Sequence, residues 1–259
     1  MKHIKRRFFF QKTSEEINFE RPEFELIDLK NDGISQKELS ERKGTVAFIE
    51  TVDDIVIGGF VHNLKGKHFV FPVPDPTLVY FNNAQLSLAQ ISEQKKVLIE
   101  KLDYTVALNE PAIHDIYNYH GLVSGFVIFL FTAIESFINQ MIPDDYTFVD
   151  EQKNKTIIYN KIQLQEHVDF KTKITKVLTG ATGNDFFRKS SPANQYIWSL
   201  KQFRDDIIHT KQDDEILKYQ NIIKRSLNYN YDKAIKAVAT FMNFYKKDYI
   251  IECDCGQDF

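Results

Sequence analysis

The chain has 259 residues, 43% of them hydrophobic and 14% aromatic, which suits one large packed domain or a medium domain with a smaller companion. That composition excludes a chain disordered throughout. A formal net charge of −3 excludes a globally basic nucleic-acid binder, so any such site must be a local patch.

The opening MKHIKRRFFFQK is basic, but its apolar run spans only Phe8–Phe10, too short for the core of a signal peptide. Residues 1–76 form a β-rich N-terminal domain. The stretch GTVAFIETVDDIVIGGFVHNLKGKHFVFPVP, rich in β-branched and aromatic residues, predicts two or three strands with NLKG as a hairpin turn. PVPDP (Pro72–Pro76) then removes backbone donors and marks a domain boundary.

Beyond it the pattern becomes helical. Leu88, Ile91, Leu98 and Leu102 predict an amphipathic helix over about residues 83–108. Asn109 and Pro111 suit the start of a second helix, which Ile116, Val123, Val127, Leu130, Ile134, Ile138 and Met141 line until Pro143. Its apolar run Gly125–Ile134 reads as a buried helix, because a membrane span needs about 20 apolar residues. A hairpin insertion is expected over 146–164 and a shorter helix over about 168–179. Ser191–Pro192 supplies the cap and first-turn proline of a further helix, and the last clear helix runs over about 231–247. The fold class is therefore α+β, mainly α: a helical bundle over 77–250, the β-rich domain before it, and a tail over 251–259. That tail holds the only cysteines, Cys253 and Cys255. With no CxxC and no histidine near them in sequence, no metal is expected.

The helix opened by Ser191 carries the chemistry. Ile197, Leu200, Phe203, Ile207 and Ile208 make one apolar face, and Arg204 lies inside it. A buried guanidinium needs a carboxylate, an anionic ligand or an open cleft beside it. Arg204 snorkelling to the bundle edge or pairing with Glu135 is the plain structural reading. His209 lies about 140° around a straight helix from Arg204. Other patterns carry less. His114 and His120 are six apart, not the four that puts two metal ligands on one helix face, and TGATG (Thr179–Gly183) lacks the Lys-Ser/Thr of a phosphate-cradling loop.

The stretch FRDDIIH (Phe203–His209) resembles the R-x4–6-H motif of the HEPN superfamily of helical nucleotide-binding domains, in the form found in its ribonucleases. FTAIESFINQMI (Phe131–Ile142) resembles the acidic and asparagine-bearing end of the family's second helix. The order of elements over roughly 80–250 is also similar: two long helices, a variable insertion, the motif helix and a closing helix.

The resemblance implies an antiparallel HEPN-like bundle and a metal-independent endoribonuclease without a cofactor, acting through attack of the ribose 2′-hydroxyl. It points to the effector of a prokaryotic defence or toxin–antitoxin system. In it His209 exchanges protons near neutral pH and Arg204 holds the phosphate. Asp205 orients the imidazole or fixes the helix end, and Glu135 and Asn139 support Arg204. Lys201 and Lys211 flank the motif and are candidate RNA contacts. The divergence of Arg204 and His209 calls either for a loosened helix near His209 or for a cleft shared by two copies. A homodimer is therefore expected, with RNA as substrate, an antitoxin or other regulatory partner, no membrane, and a cytoplasmic location. The rival reading is a non-catalytic HEPN-like module that binds a nucleotide or a protein.

Overall fold

A computed structural model of the chain describes residues 1–17, 33–51, 53–102, 110–209 and 216–256. The fold is α+β and mainly helical, with small antiparallel sheets. It divides into two compact units, Arg6–Leu78 and a second made of Met1–Lys5 with Val79–Phe259. The helical unit thus takes back the first five residues, which sequence reading assigns to the β-rich domain over 1–76.

In the smaller unit, β1 (Gln11–Thr13), the short helix α1 (Gln36–Glu41), β2 (Val46–Glu50), β3 (Ile55–Leu64) and β4 (Lys67–Pro72) follow in order. The long β3 is central: β2 runs along one edge, while β1 and β4 pair with successive halves of the other. Lys65 and Gly66, at φ 52° and 84°, form the two-residue turn between β3 and β4, which is the hairpin expected at NLKG. Gly59 is required by close approach, since a Cβ there would lie 2.7 Å from the Phe71 carbonyl oxygen. The stretch from Gly44 gives three strands, within the two or three expected, and a fourth joins the sheet from before it. The extra one, β1, is QKT, too short and too polar to show an alternation.

The helix α2 (Pro76–Lys101) starts earlier than the periodicity of its leucines implies. Asp75 Oδ1 accepts the Thr77 N–H at 2.9 Å and Pro76 takes the first helical position, so the proline-rich boundary is itself a helix start. The expected continuation to 108 and the expected cap at Asn109 lie outside the described residues. The next helix, α3 (Glu110–Met141), buries Val123, Phe126, Val127, Leu130, Ile134 and Ile138. By length and composition it could cross a bilayer, with a mean hydropathy of 2.0 in its most apolar window. The expectation from the run Gly125–Ile134 misses this, because Leu122, Val123, Phe137 and Ile138 extend the apolar stretch on both sides of that run. Half of that window is buried inside the protein.

The insertion is a hairpin of β5 (Phe148–Gln152) and β6 (Lys155–Tyr159), shorter than expected. Asn160 and Gln163 then exchange backbone and side-chain hydrogen bonds at 2.9 Å and start α4 (Lys161–His167), which buries Leu164. The next helical stretch is broken in the middle. It runs as α5 (Phe170–Thr172), a π-helical turn (Lys173–Val177) and α6 (Leu178–Thr182), ending at Gly183 with φ 72°. Then come α7 (Pro192–Ile208), α8 (Ile216–Asn228) and α9 (Tyr231–Tyr245).

The core of this unit lies where α7 packs on α9 and α3, through the fully buried Ile197, Leu200, Phe203, Ile235, Val238 and Phe241. The helix α8 escapes sequence reading. It is locked in place when the hydroxyls of Tyr119 and Tyr231 both donate to the Ser226 carbonyl, at 2.8 and 2.6 Å. The tail expected over 251–259 is tied down in its first part. Asn243 exchanges two hydrogen bonds with the Ile250 backbone, at 2.7 and 2.9 Å, and Ile4 pairs with Glu252.

Candidate functional site

The site grows out of α7. Ser191 Oγ accepts the Asn194 N–H at 3.2 Å and Pro192 follows, so the helix begins where its cap dictates. Burial of Ile197, Leu200 and Phe203 then fixes its rotation, and that rotation places Arg204 at the border of the apolar face. The guanidinium carbon lies 5.0 Å from the centre of the Phe131 ring on α3, and Nη1 is 3.2 Å from Asp205 Oδ1. With 27% of its side chain exposed, Arg204 is reachable from solvent.

Asp205 holds two cations, since Lys201 Nζ also lies 2.6 Å from its Oδ2. Burial alone would raise the Asp205 carboxyl, but hydrogen bonds from Lys201 and Arg204 outweigh it and hold the group below its ordinary value. Lys201, a candidate RNA contact, is therefore paired with Asp205 while keeping part of its side chain exposed. Asp205 does not orient the imidazole among the described residues. Its link to His209 is through the backbone, where its carbonyl accepts the His209 N–H at 2.9 Å.

His209 itself is exposed and leaves the helix, with φ −96° and ψ 52°. The helix thus ends at Ile208, with His209 as its C-cap. Lys211 lies outside the described residues.

Glu135 faces the same cluster from α3. Burial pushes its carboxyl above the ordinary value, against the attraction of Arg204 and Lys173. It makes no ion pair with Arg204 within 4.0 Å among the described residues, so the pairing of these two considered from sequence is replaced by Arg204–Asp205. Asn139, one turn further along α3, has a buried Oδ1 with no hydrogen-bond partner among the described residues. It makes no hydrogen bond to Arg204 among the described residues.

Lys173 is the member that sequence reasoning missed. It is only 8% exposed and sits in the π-helical turn, with its Nζ donating to the Gln165 carbonyl at 2.7 Å. Burial lowers its amine, while Glu135 and Asp169 attract its charge. A signal did exist: Phe170, Lys173, Ile174 and Val177 follow the i, i+3, i+4, i+7 spacing of one face, with lysine in an apolar place. Trp198 is packed against Phe170 and Phe187, at 6.1 and 5.6 Å between ring centres. Arg225 is structural, with bonds to Asp206 at 2.9 Å and to the Ser199 carbonyl at 2.6 Å.

The cluster of Lys173, Lys201 and Arg204 against Glu135 and Asp205 has one cation in excess when all five are ionised. Arg204 is its solvent-reachable guanidinium, suited to an anionic oxygen.

The Glu135 shift carries a stability prediction. Its folded value lies above the ordinary 4.5, so between that pH and the raised value the folded protein keeps a proton that the unfolded chain has released. This contribution is complete below 4.5 and is lost as pH rises through the folded value. The stability of wild type relative to Glu135→Gln should accordingly decline across that window, as read by urea midpoints. A difference independent of pH would contradict the assigned burial.

The chain matches no family model, no curated protein and no solved structure.

Proposed function

We propose that the chain is a metal-independent endoribonuclease with a HEPN-like bundle, acting as a homodimer on RNA in the cytoplasm. The observation that carries this reading is the solvent-reachable Arg204, stiffened by Asp205 above Phe131, five residues before an exposed histidine at the helix end. The order α2, α3, an insertion that runs from β5 to α6, then α7 with α8 and α9 after it, agrees with this reading in its long helices.

In the proposed reaction the His209 imidazole takes the proton of a ribose 2′-hydroxyl. The 2′-oxygen attacks the adjacent phosphorus and the bond from phosphorus to the 5′-oxygen breaks. That oxygen takes a proton from water and the imidazolium returns its own to solvent, giving a 2′,3′-cyclic phosphate and a 5′-hydroxyl. Arg204 donates to the phosphoryl oxygens, where negative charge accumulates. Glu135 and Lys173 set the field around that guanidinium without touching substrate. A toxic effector kept silent by an antitoxin or regulatory partner fits such an activity.

The test is to express wild type beside His209→Ala and to score growth together with the integrity of cellular RNA. Wild type should arrest growth and fragment RNA, and the variant should do neither while accumulating as a folded protein. Growth and RNA equally intact with both would favour the rival, a non-catalytic module that binds a nucleotide or a protein.

A further inference from the structure

We propose that the two ends of the helical unit form a metal site of two thiolates and one imidazole, Cys253, Cys255 and His3, which takes a zinc ion. The sequence shows only half of it. Cysteines two apart fall on one face of an extended chain. The histidine arrives from 250 residues away in sequence, because the first residues run antiparallel to the tail.

The pairing is well fixed. Lys5 N donates to the Ile251 carbonyl at 2.8 Å, Cys253 N donates to the His3 carbonyl at 2.6 Å, and Ile4 is the bridge partner of Glu252. In that register His3 lies directly across from Cys253, and the bend at Cys255 follows two residues on. Both strands are anchored beneath. Ile4 is fully buried, Gln85 Nε2 donates to the Lys2 carbonyl at 2.9 Å, and Tyr249 and Ile250 are buried on the other strand.

The donor atoms match a metal. One from each residue lies within 4.8 Å of the other two, and His3 Nδ1 is 3.4 Å from Cys255 Sγ. Ordinary zinc–sulfur and zinc–nitrogen bonds at a tetrahedral angle require about 3.5 Å between those two ligand types. Sulfur with imidazole nitrogen selects zinc over the hard cations, and two thiolates neutralise a divalent charge. Three protein ligands leave the fourth position to a water. Cys255 is exposed, which gives an ion a path in from solvent.

The test uses the untagged full-length protein, stripped with chelator, reduced, and titrated with cobalt(II) as a spectroscopic stand-in for zinc. Wild type should bind one ion with a thiolate-to-cobalt charge-transfer band and the visible bands of a tetrahedral site. Equimolar zinc should abolish both. Cys255→Ser, a change at an exposed position that leaves the helical circular dichroism intact, should weaken the charge-transfer band, and His3→Ala should shift the visible bands and weaken binding. Zinc should raise the melting temperature of wild type and leave that of Cys253→Ser/Cys255→Ser unchanged. The proposal is overturned if reduced wild type takes up no more cobalt than this double variant, or if His3→Ala binds cobalt with the same spectrum and affinity.

Discussion

Arg204→Ala should lower RNA cleavage by about 10²–10³-fold at saturating substrate, the loss typical of removing one donor to a developing oxyanion. Two contacts of Arg204 would be lost with it, the 3.2 Å pairing with Asp205 and the position over Phe131. The pairing with Asp205 is partly exposed, and such an ion pair contributes only about 0–1 kcal/mol to stability. The melting temperature should therefore barely move while activity collapses. Arg204→Lys should not restore the rate, because an ammonium keeps the charge but loses the planar fork that grips two oxygens at once. Removing the guanidinium also takes away an attraction on Glu135, so its carboxyl should rise further. A variant that melts many degrees lower in proportion to its lost activity would reassign Arg204 to architecture.

Phe241→Ala should destabilise the helical unit by about 3–5 kcal/mol, measured by urea denaturation. Phe241 is fully buried and sits in a net of rings, with Phe186 and Tyr245 at 5.3 Å, Phe137 at 6.0 Å and Phe187 at 6.1 Å between centres. It joins α9, α3 and the segment before α7, so truncation opens a void that no single neighbour can fill. Such a loss is a large share of the roughly 5–15 kcal/mol that holds a typical domain folded. A cost under about 1 kcal/mol would mean that the three elements repack around the gap.

What could be read in advance followed the physics of local signals. α7 and α9 announce themselves by caps and by periodic apolar residues, and NLKG announces its turn by Gly66. α8 carries a local signal too, with Ile216, Tyr219, Ile223 and Leu227 at helical spacing, but what holds it comes from elsewhere in the chain: Arg225 reaches Asp206 and Ser199, and two tyrosines from α3 and α9 meet at the Ser226 carbonyl. Lys173 was visible as a charged residue in an apolar rhythm, but its meaning required Glu135 on another helix. Asp205, expected to orient the imidazole or fix the helix end, has Lys201 and Arg204 as its partners rather than the His209 ring, a choice that sequence spacing does not make. His3 could not be joined to Cys253 from sequence at all, since only the pairing of the two chain ends brings them together.

The most direct measurement is to incubate the purified protein with RNA in excess EDTA and to identify the new ends. Cleavage that persists in chelator, leaves 2′,3′-cyclic phosphate and 5′-hydroxyl termini, sediments with a dimer and vanishes in His209→Ala is the predicted result. Cleavage that needs an added metal ion, or that proceeds undiminished without the imidazole, would contradict it.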